Sequence, residues 1–268
     1  MRKNTCYLLK TRQIESENSD DMKEYRLAVL IDAENVSYSY VKDMLEEISK
    51  NGTPTIKRIY ADWTKSVVSG WKNVLLENAI TPIQQYSYTS GKNATDSALI
   101  IDAMDILYSD KVDGFCIVSS DSDFTRLATR LRESGMLVIG FGEKKTPQPF
   151  ISSCDKFIYL EILKNTTAAE PDSGDTPSKK KVKKEPLNRL DSRIVRLLTD
   201  SVNDLADENG YAFLGSLGNF ILKKKPDFDP RNYGFPKLLM LIKSVGKFEI
   251  DERESGSGNN KLIYVKLK

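Results

Sequence analysis

Six short apolar runs, at residues 26–31, 56–60, 81–86, 114–119, 137–141 and 157–160, alternate with amphipathic stretches at 38–49, 67–78, 96–108 and 122–134. This alternation constrains the fold more than any other feature. A run such as Arg26-Leu27-Ala28-Val29-Leu30-Ile31 is too short for a stable helix and nearly continuous in its apolar character, which suits a strand buried on both faces. Parallel strands need long crossovers between them, and the helical stretches supply these. The last is closed by Gly135, a residue that ends helices without steric penalty. The predicted fold of residues 25–163 is therefore α/β, with a doubly wound, mainly parallel sheet and helices on both sides, for which an order 3-2-1-4-5 would set the first and fourth strands side by side.

The pattern begins late and stops early. Residues 1–24 are polar and irregular, and Met22 sits just before the first strand; the expected start of the chain is Met1 or Met22. Residues 164–186 are rich in Thr, Ala, Pro, Ser and charge and end in Lys179-Lys180-Lys181-Val182-Lys183-Lys184, a composition that reads as a linker. The lysine run is a solvated tether, a salt-dependent nucleic-acid contact, or a nuclear import signal. Residues 187–268 differ in character: helices at 190–208, 214–224 and 235–244, then strands at 247–251 and 262–267 joined by a turn at 256–260. Helices followed by a β-hairpin predict a small winged-helix-like α+β domain.

Composition narrows the chemistry. The 268 residues include no histidine, so imidazole ligands, imidazole bases and Ser-His-Asp triads are excluded. A formal charge of +2 does not by itself announce a nucleic-acid partner. Cys6, Cys116 and Cys154 match no zinc spacing and leave an odd thiol, which points to a reducing cytoplasm. The apolar stretch Cys6-Tyr7-Leu8-Leu9 is too short for a signal core or a membrane span, and no membrane association is expected.

What remains is carboxylate chemistry. The first strand runs straight into Asp32-Ala33-Glu34-Asn35, and the fourth ends in Ser119-Ser120-Asp121-Ser122-Asp123-Phe124. Ligands of open α/β sheets bind beyond the carboxyl ends of the strands, where the strand order reverses. If the first and fourth strands are neighbours, Asp32 and Asp121 approach one another, and two close carboxylates call for a cation between them. Asp96 follows Gly91-Lys92-Asn93-Ala94-Thr95 at a helix start, where a carboxylate is favoured whatever its role. Asp32, Asn35, Asp121 or Asp123 could instead simply cap a helix. Asp102 lies six positions beyond Asp96, roughly 240° around a helix, and is expected to be structural. The cluster suits Mg²⁺ or Mn²⁺ with oxygen ligands and waters. Lys65, Lys92, Arg126, Lys144 and Lys145 are placed to hold phosphates.

These motifs carry a resemblance. Asp-Ala-Glu-Asn at 32–35, Gly-Lys-Asn-Ala-Thr-Asp-Ser-Ala-Leu at 91–99 and Ser-Ser-Asp-Ser-Asp-Phe at 119–124 resemble the NYN domain of the LabA-like group, within the PIN-like nuclease superfamily. The resemblance implies a Rossmann-like sheet and a metal-dependent ribonuclease site of Asp32, Asn35, Asp96, Asp121 and Asp123. It also implies, by analogy with PIN-like folds, a homodimer. Residues 187–268, with Tyr233-Gly234-Phe235-Pro236-Lys237-Leu238, resemble an OST-HTH or LOTUS domain, implying RNA binding or a protein partner. Lys223, Lys224, Lys225, Arg231 and Lys237 beside Tyr233 form a basic, aromatic set suited to RNA.

Three functions are consistent with this reading. The first is an RNA hydrolase using Mg²⁺ or Mn²⁺, with the second domain capturing RNA. The second is a non-catalytic RNA-binding adaptor that keeps the acidic pocket. The third, a phosphatase of the haloacid-dehalogenase type, wants a second aspartate two positions after the first, where this chain has Glu34.

Overall fold

The computed structural model describes residues 24–86, 94–163, 186–254 and 261–268. The lysine run, the residues around Met22 and the 256–260 turn lie outside these. Six parallel strands, β1 (Arg26–Asp32), β2 (Thr53–Ala61), β3 (Thr81–Gln84), β4 (Gly114–Val118), β5 (Leu137–Gly142) and β6 (Lys156–Tyr159), form one sheet in the order β3-β2-β1-β4-β5-β6. β1 lies between β2 and β4, and everything from Leu27 to Asp32 is buried. That is why its sequence is apolar throughout rather than alternating.

Helices α1 (Val41–Ser49), α2 (Trp71–Glu77), α3 (Ala94–Tyr108) and α4 (Thr125–Glu133) cover the sheet. Two shorter helices, α5 (Gln148–Ser153) and α6 (Leu160–Leu163), were not foreseen. α5 begins at a proline-flanked glutamine, Pro147-Gln148-Pro149, and in sequence such a segment reads as loop; in three dimensions proline in the first turn costs no helical hydrogen bond. Residue 160, expected at the end of the sixth strand, opens α6 instead.

The second unit consists of α7 (Ser192–Leu205), β7 (Ala212–Phe213), α8 (Leu214–Lys224), a 3₁₀ turn at Pro230–Tyr233, α9 (Leu238–Val245), β8 (Phe248–Glu254) and β9 (Lys261–Leu267). Asp191 caps α7, its Oδ1 accepting from Arg193 N at 3.0 Å and Ile194 N at 3.1 Å. The strands form an antiparallel sheet in the order β7-β9-β8, so the expected hairpin gains a short third strand. Leu198, Leu217, Ile221, Leu241 and Val265 give this unit its own core.

The two units are joined by specific contacts. Phe157 N, on the outer side of β6, donates to Pro226 O at 2.8 Å, and Tyr159 Oη donates to Asp227 Oδ2 at 2.8 Å. Lys144 Nζ donates to Leu187 O at 2.7 Å. Arg231 forms a two-pronged pair with Glu47 of α1, at 3.0 and 2.8 Å, and also pairs with Asp229 at 2.6 Å. Burial alone would raise the Glu47 carboxyl, but the hydrogen bonds and charges of Arg231 and Lys50 hold it down to about 2. A two-pronged guanidinium–carboxylate pair is both strong and directional.

Breaking that pair is the test of the junction. Glu47→Gln should cost about 3 kcal/mol at neutral pH, because it leaves Arg231 partly buried beside one partner fewer. Since the folded-state pKa of Glu47 lies below its usual 4.5, the advantage of the native residue is full above that value. It should disappear as pH falls through about 2. Calorimetry of both proteins between neutral and acid pH measures it.

Candidate metal centre

The register between β1 and β4 sets the centre. Ile31 stands opposite Val118, so Asp32 and Ser119 leave the sheet side by side. Asp32 is 1% exposed. Its carboxylate accepts from Glu34 N at 3.1 Å, Asn35 Nδ2 at 2.6 Å and Ser119 Oγ at 2.9 Å. Burial raises its pKa, and these hydrogen bonds pull it partly back. Ser119 Oγ in turn accepts from Asp121 N at 3.1 Å, so one hydroxyl links the buried Asp32 to the backbone that presents Asp121. Gly142, at the end of β5, makes this possible: a side chain there would meet Ser119 O at 2.7 Å.

Asp121 caps the 3₁₀ turn Ser122–Phe124, its Oδ1 accepting from Asp123 N at 2.9 Å. The sequence left the capping alternative open for both Asp121 and Asp123; the structure gives a cap to Asp121, whose extended backbone lets its side chain fold over the turn. Asp123 follows on the same turn. Asp96 comes from the first turn of α3. Asp96, Asp121 and Asp123 each offer a carboxylate oxygen, and these lie within 4.8 Å of one another. Asp32 sits beneath this trio rather than in it.

α3 is held against the sheet by Asp102, which accepts from both Arg58 and the hydroxyl of the fully buried Tyr60 on β2. Tyr60 is the residue opposite Asp32 in the β1–β2 register. Asp102 therefore helps to fix the helix that carries Asp96, and it does not face the cluster.

The electrostatics match a cation site. Burial first, and then the charges of Asp32, Asp121, Asp123 and Glu34, push the Asp96 carboxyl up to about 6. The donors are all carboxylate oxygens, which suit a hard divalent ion such as Mg²⁺ or Mn²⁺ and give no foothold to softer metals that favour sulfur or imidazole.

Several positions were not visible in the sequence. Ser119 was read only as part of a motif, although its place one residue past the fourth strand was the available signal. Asp62, 5% exposed beyond β2, accepts at Oδ1 from Thr64 N, Thr64 Oγ1 and Gln84 Nε2. It extends the acidic rim without joining the trio. Lys65 pairs with Glu34 at 2.9 Å on the same rim. Arg126 is exposed in the first turn of α4, three residues beyond Asp123. Lys92 lies outside the described residues.

The predicted RNA contacts of the second unit divide. Lys223 and Lys237 are exposed and unpaired among the described residues. Lys224 pairs with Asp204 at 2.7 Å and covers the Phe220 ring, while Lys225 pairs with Asp227 at 2.7 Å. Arg231 and Tyr233 do not face solvent as the sequence reading expected. Arg231 is consumed by Glu47 and Asp229, and Tyr233, 6% exposed, packs against Phe228 in the core.

The NYN domain profile matches residues 26–161, and the OST-HTH/LOTUS domain profile matches residues 185–259. The solution structure of an uncharacterized Nitrosomonas europaea protein is 27% identical, covering 37% of this chain and 92% of its own with a TM-score of 0.29. The crystal structure of a Vibrio parahaemolyticus protein of unknown function is 20% identical, covering 52% of this chain and 94% of its own with a TM-score of 0.43. No curated protein matches.

Asp96 offers a direct check on the cluster. With its pKa raised from 3.8 to about 6, the folded protein keeps a proton there that the unfolded chain has already released. Stability contributed by Asp96 therefore falls as pH rises through that window, and the cost is full above it. In chelator at pH near 7.5, Asp96→Asn should stabilise by about 1 kcal/mol, allowing for solvent screening of a part-buried group. The gain should vanish toward pH 4, and millimolar Mg²⁺ should raise the melting temperature of the native protein more than that of the variant.

Proposed function

Because the chain belongs to the NYN family of PIN-like nuclease domains across residues 26–161, we propose that it is a metal-dependent ribonuclease whose OST-HTH unit captures RNA. The observation that carries this reading is the convergence of Asp96, Asp121 and Asp123 within 4.8 Å. Like charges so close are costly unless a cation neutralises them.

Asp96, Asp121 and Asp123 would hold Mg²⁺ or Mn²⁺, with Asp32 acting through water on its remaining lone pairs. A divalent ion bound there supplies a water of lowered pKa and neutralises charge on the phosphoryl oxygens. Asn35 and Ser119 fix the Asp32 carboxylate by hydrogen bonds of 2.6 and 2.9 Å, so that it is aligned before substrate arrives. With no histidine in the chain, proton acceptance falls to these carboxylates. Attack of water at phosphorus with departure of the ribose 3′ oxygen leaves a 5′-phosphate and a 3′-hydroxyl. Arg126 and Lys65 stand at the rim as phosphate contacts.

OST-HTH domains bind RNA, and the match spans residues 185–259 of the second unit. Among the described residues no helix is long and apolar enough to cross a membrane. The free, buried thiols of Cys116 and Cys154 support a reducing, cytoplasmic setting.

The test is cleavage of end-labelled single-stranded RNA in Mn²⁺ or Mg²⁺. Asp121→Asn should slow cleavage by at least about a hundredfold, equivalent to roughly 2.7 kcal/mol of transition-state stabilisation. Asp32→Asn should lose activity as well, with far-ultraviolet circular dichroism unchanged in both. Cleavage that is indifferent to both substitutions sinks the proposal. RNA binding without turnover in either metal assigns the chain to the adaptor class instead.

A further inference from the structure

Where the two units meet, the junction encloses a cleft of about 540 Å³ lined by residues of both, among them Tyr159, Asn188, Arg189, Arg193, Lys225 and Tyr233. Its carboxylates are already occupied. Asp227 accepts from the Tyr159 hydroxyl at 2.8 Å and from Lys225 at 2.7 Å. Asp191 spends its oxygens on the cap of α7 and on the Arg193 guanidinium, 2.9 Å away. Against these two carboxylates stand three cations, an excess of one positive charge. Arg189 is exposed and unpaired among the described residues, and the Arg193 side chain is 90% exposed. Two guanidinium groups at the mouth of a polar cleft suit phosphate oxygens.

The cleft also lies on the catalytic side of the molecule. Tyr159 is at the carboxyl end of β6, the end of the sheet at which Asp32 and Asp121 emerge. A chain of contacts runs from one to the other. Asp121 adjoins Ser120, whose Oγ accepts from Glu143 N at 2.9 Å. The next residue, Lys144, donates to Leu187 O at 2.7 Å, and Asn188 and Arg189 follow directly. Volumes of this size hold small flexible ligands, which fits one or two nucleotides of a single strand.

We propose that the cleft between the two units is a binding site for the backbone of single-stranded RNA, with Arg189 and Arg193 as its phosphate contacts, leading the strand toward the carboxylate cluster. This rests on the reading of the chain as acting on RNA. Tyr159 is the first unit's contribution to the lining, and the cations all come from the second unit.

The experiment is fluorescence anisotropy with the full chain, a labelled single-stranded RNA and chelator to prevent cleavage, across 50–200 mM KCl. The double variant Arg189→Ala/Arg193→Ala alters two exposed side chains and should fold normally. Its log–log salt slope should be shallower than that of the native protein by at least about 0.7, the contribution of the unpaired Arg189, with Arg193 adding less because Asp191 already balances it. Lys111→Ala, exposed at the amino end of β4 on the far side of the sheet, should leave the slope unchanged. An unaltered slope in the double variant overturns the cleft and leaves the RNA reading standing. Absence of RNA binding by the native protein overturns both.

Discussion

The parallel pairing of β1 with β4 is the constraint on which the centre depends. It brings Ile31 level with Val118, and so delivers a carboxylate and a hydroxyl to the same point beyond the sheet. From that pairing follow the Ser119–Asp32 hydrogen bond, the placing of the Asp121 amide on Ser119, and the 3₁₀ turn that carries Asp123. A slip of one residue would turn each of these side chains to the opposite face. The site is thus a property of the sheet, and the loops only complete it.

The charges are arranged in two tiers. Asp32 is sunk below the surface and almost fully engaged in hydrogen bonds. The trio above it is only partly covered, and Asp96 bears the repulsion of all its neighbours. α3 would be expected to drift away from such a concentration of negative charge. The grip of Arg58 and Tyr60 on Asp102 opposes that drift, so an ion pair facing away from the cluster keeps Asp96 in place within it.

The central strands were legible because burial on both faces leaves an uninterrupted apolar signature that few other structures share, whereas their order rested on the doubly wound pattern alone. α5 was not, since six residues starting between two prolines carry no periodicity. The aspartates could be identified by type and by their strand ends, but not by depth. Asp32 and Asp121 read as the core pair, whereas the oxygens that converge are those of Asp96, Asp121 and Asp123. Strand-end position says which end of the sheet a residue occupies and nothing about which neighbour will bury it. Arg231 illustrates a second limit. In sequence it is one cation in a basic set, and its partner Glu47 is 184 positions away, beyond the reach of any local pattern.

The hydrogen bond from Phe157 to Pro226 has a consequence for the first unit as an independent object. A parallel sheet of six strands has two rims. The β3 rim is short, four residues including Pro82, which offers little to an incoming strand. The β6 rim is equally short, four residues, but contains no proline, and its Phe157 amide is taken up by Pro226 O of the second unit. A chain cut before residue 186 would retain every carboxylate of the cluster and yet leave the Phe157 amide without its partner Pro226 O. The second unit therefore also occupies a backbone donor on the open rim of the first unit's sheet.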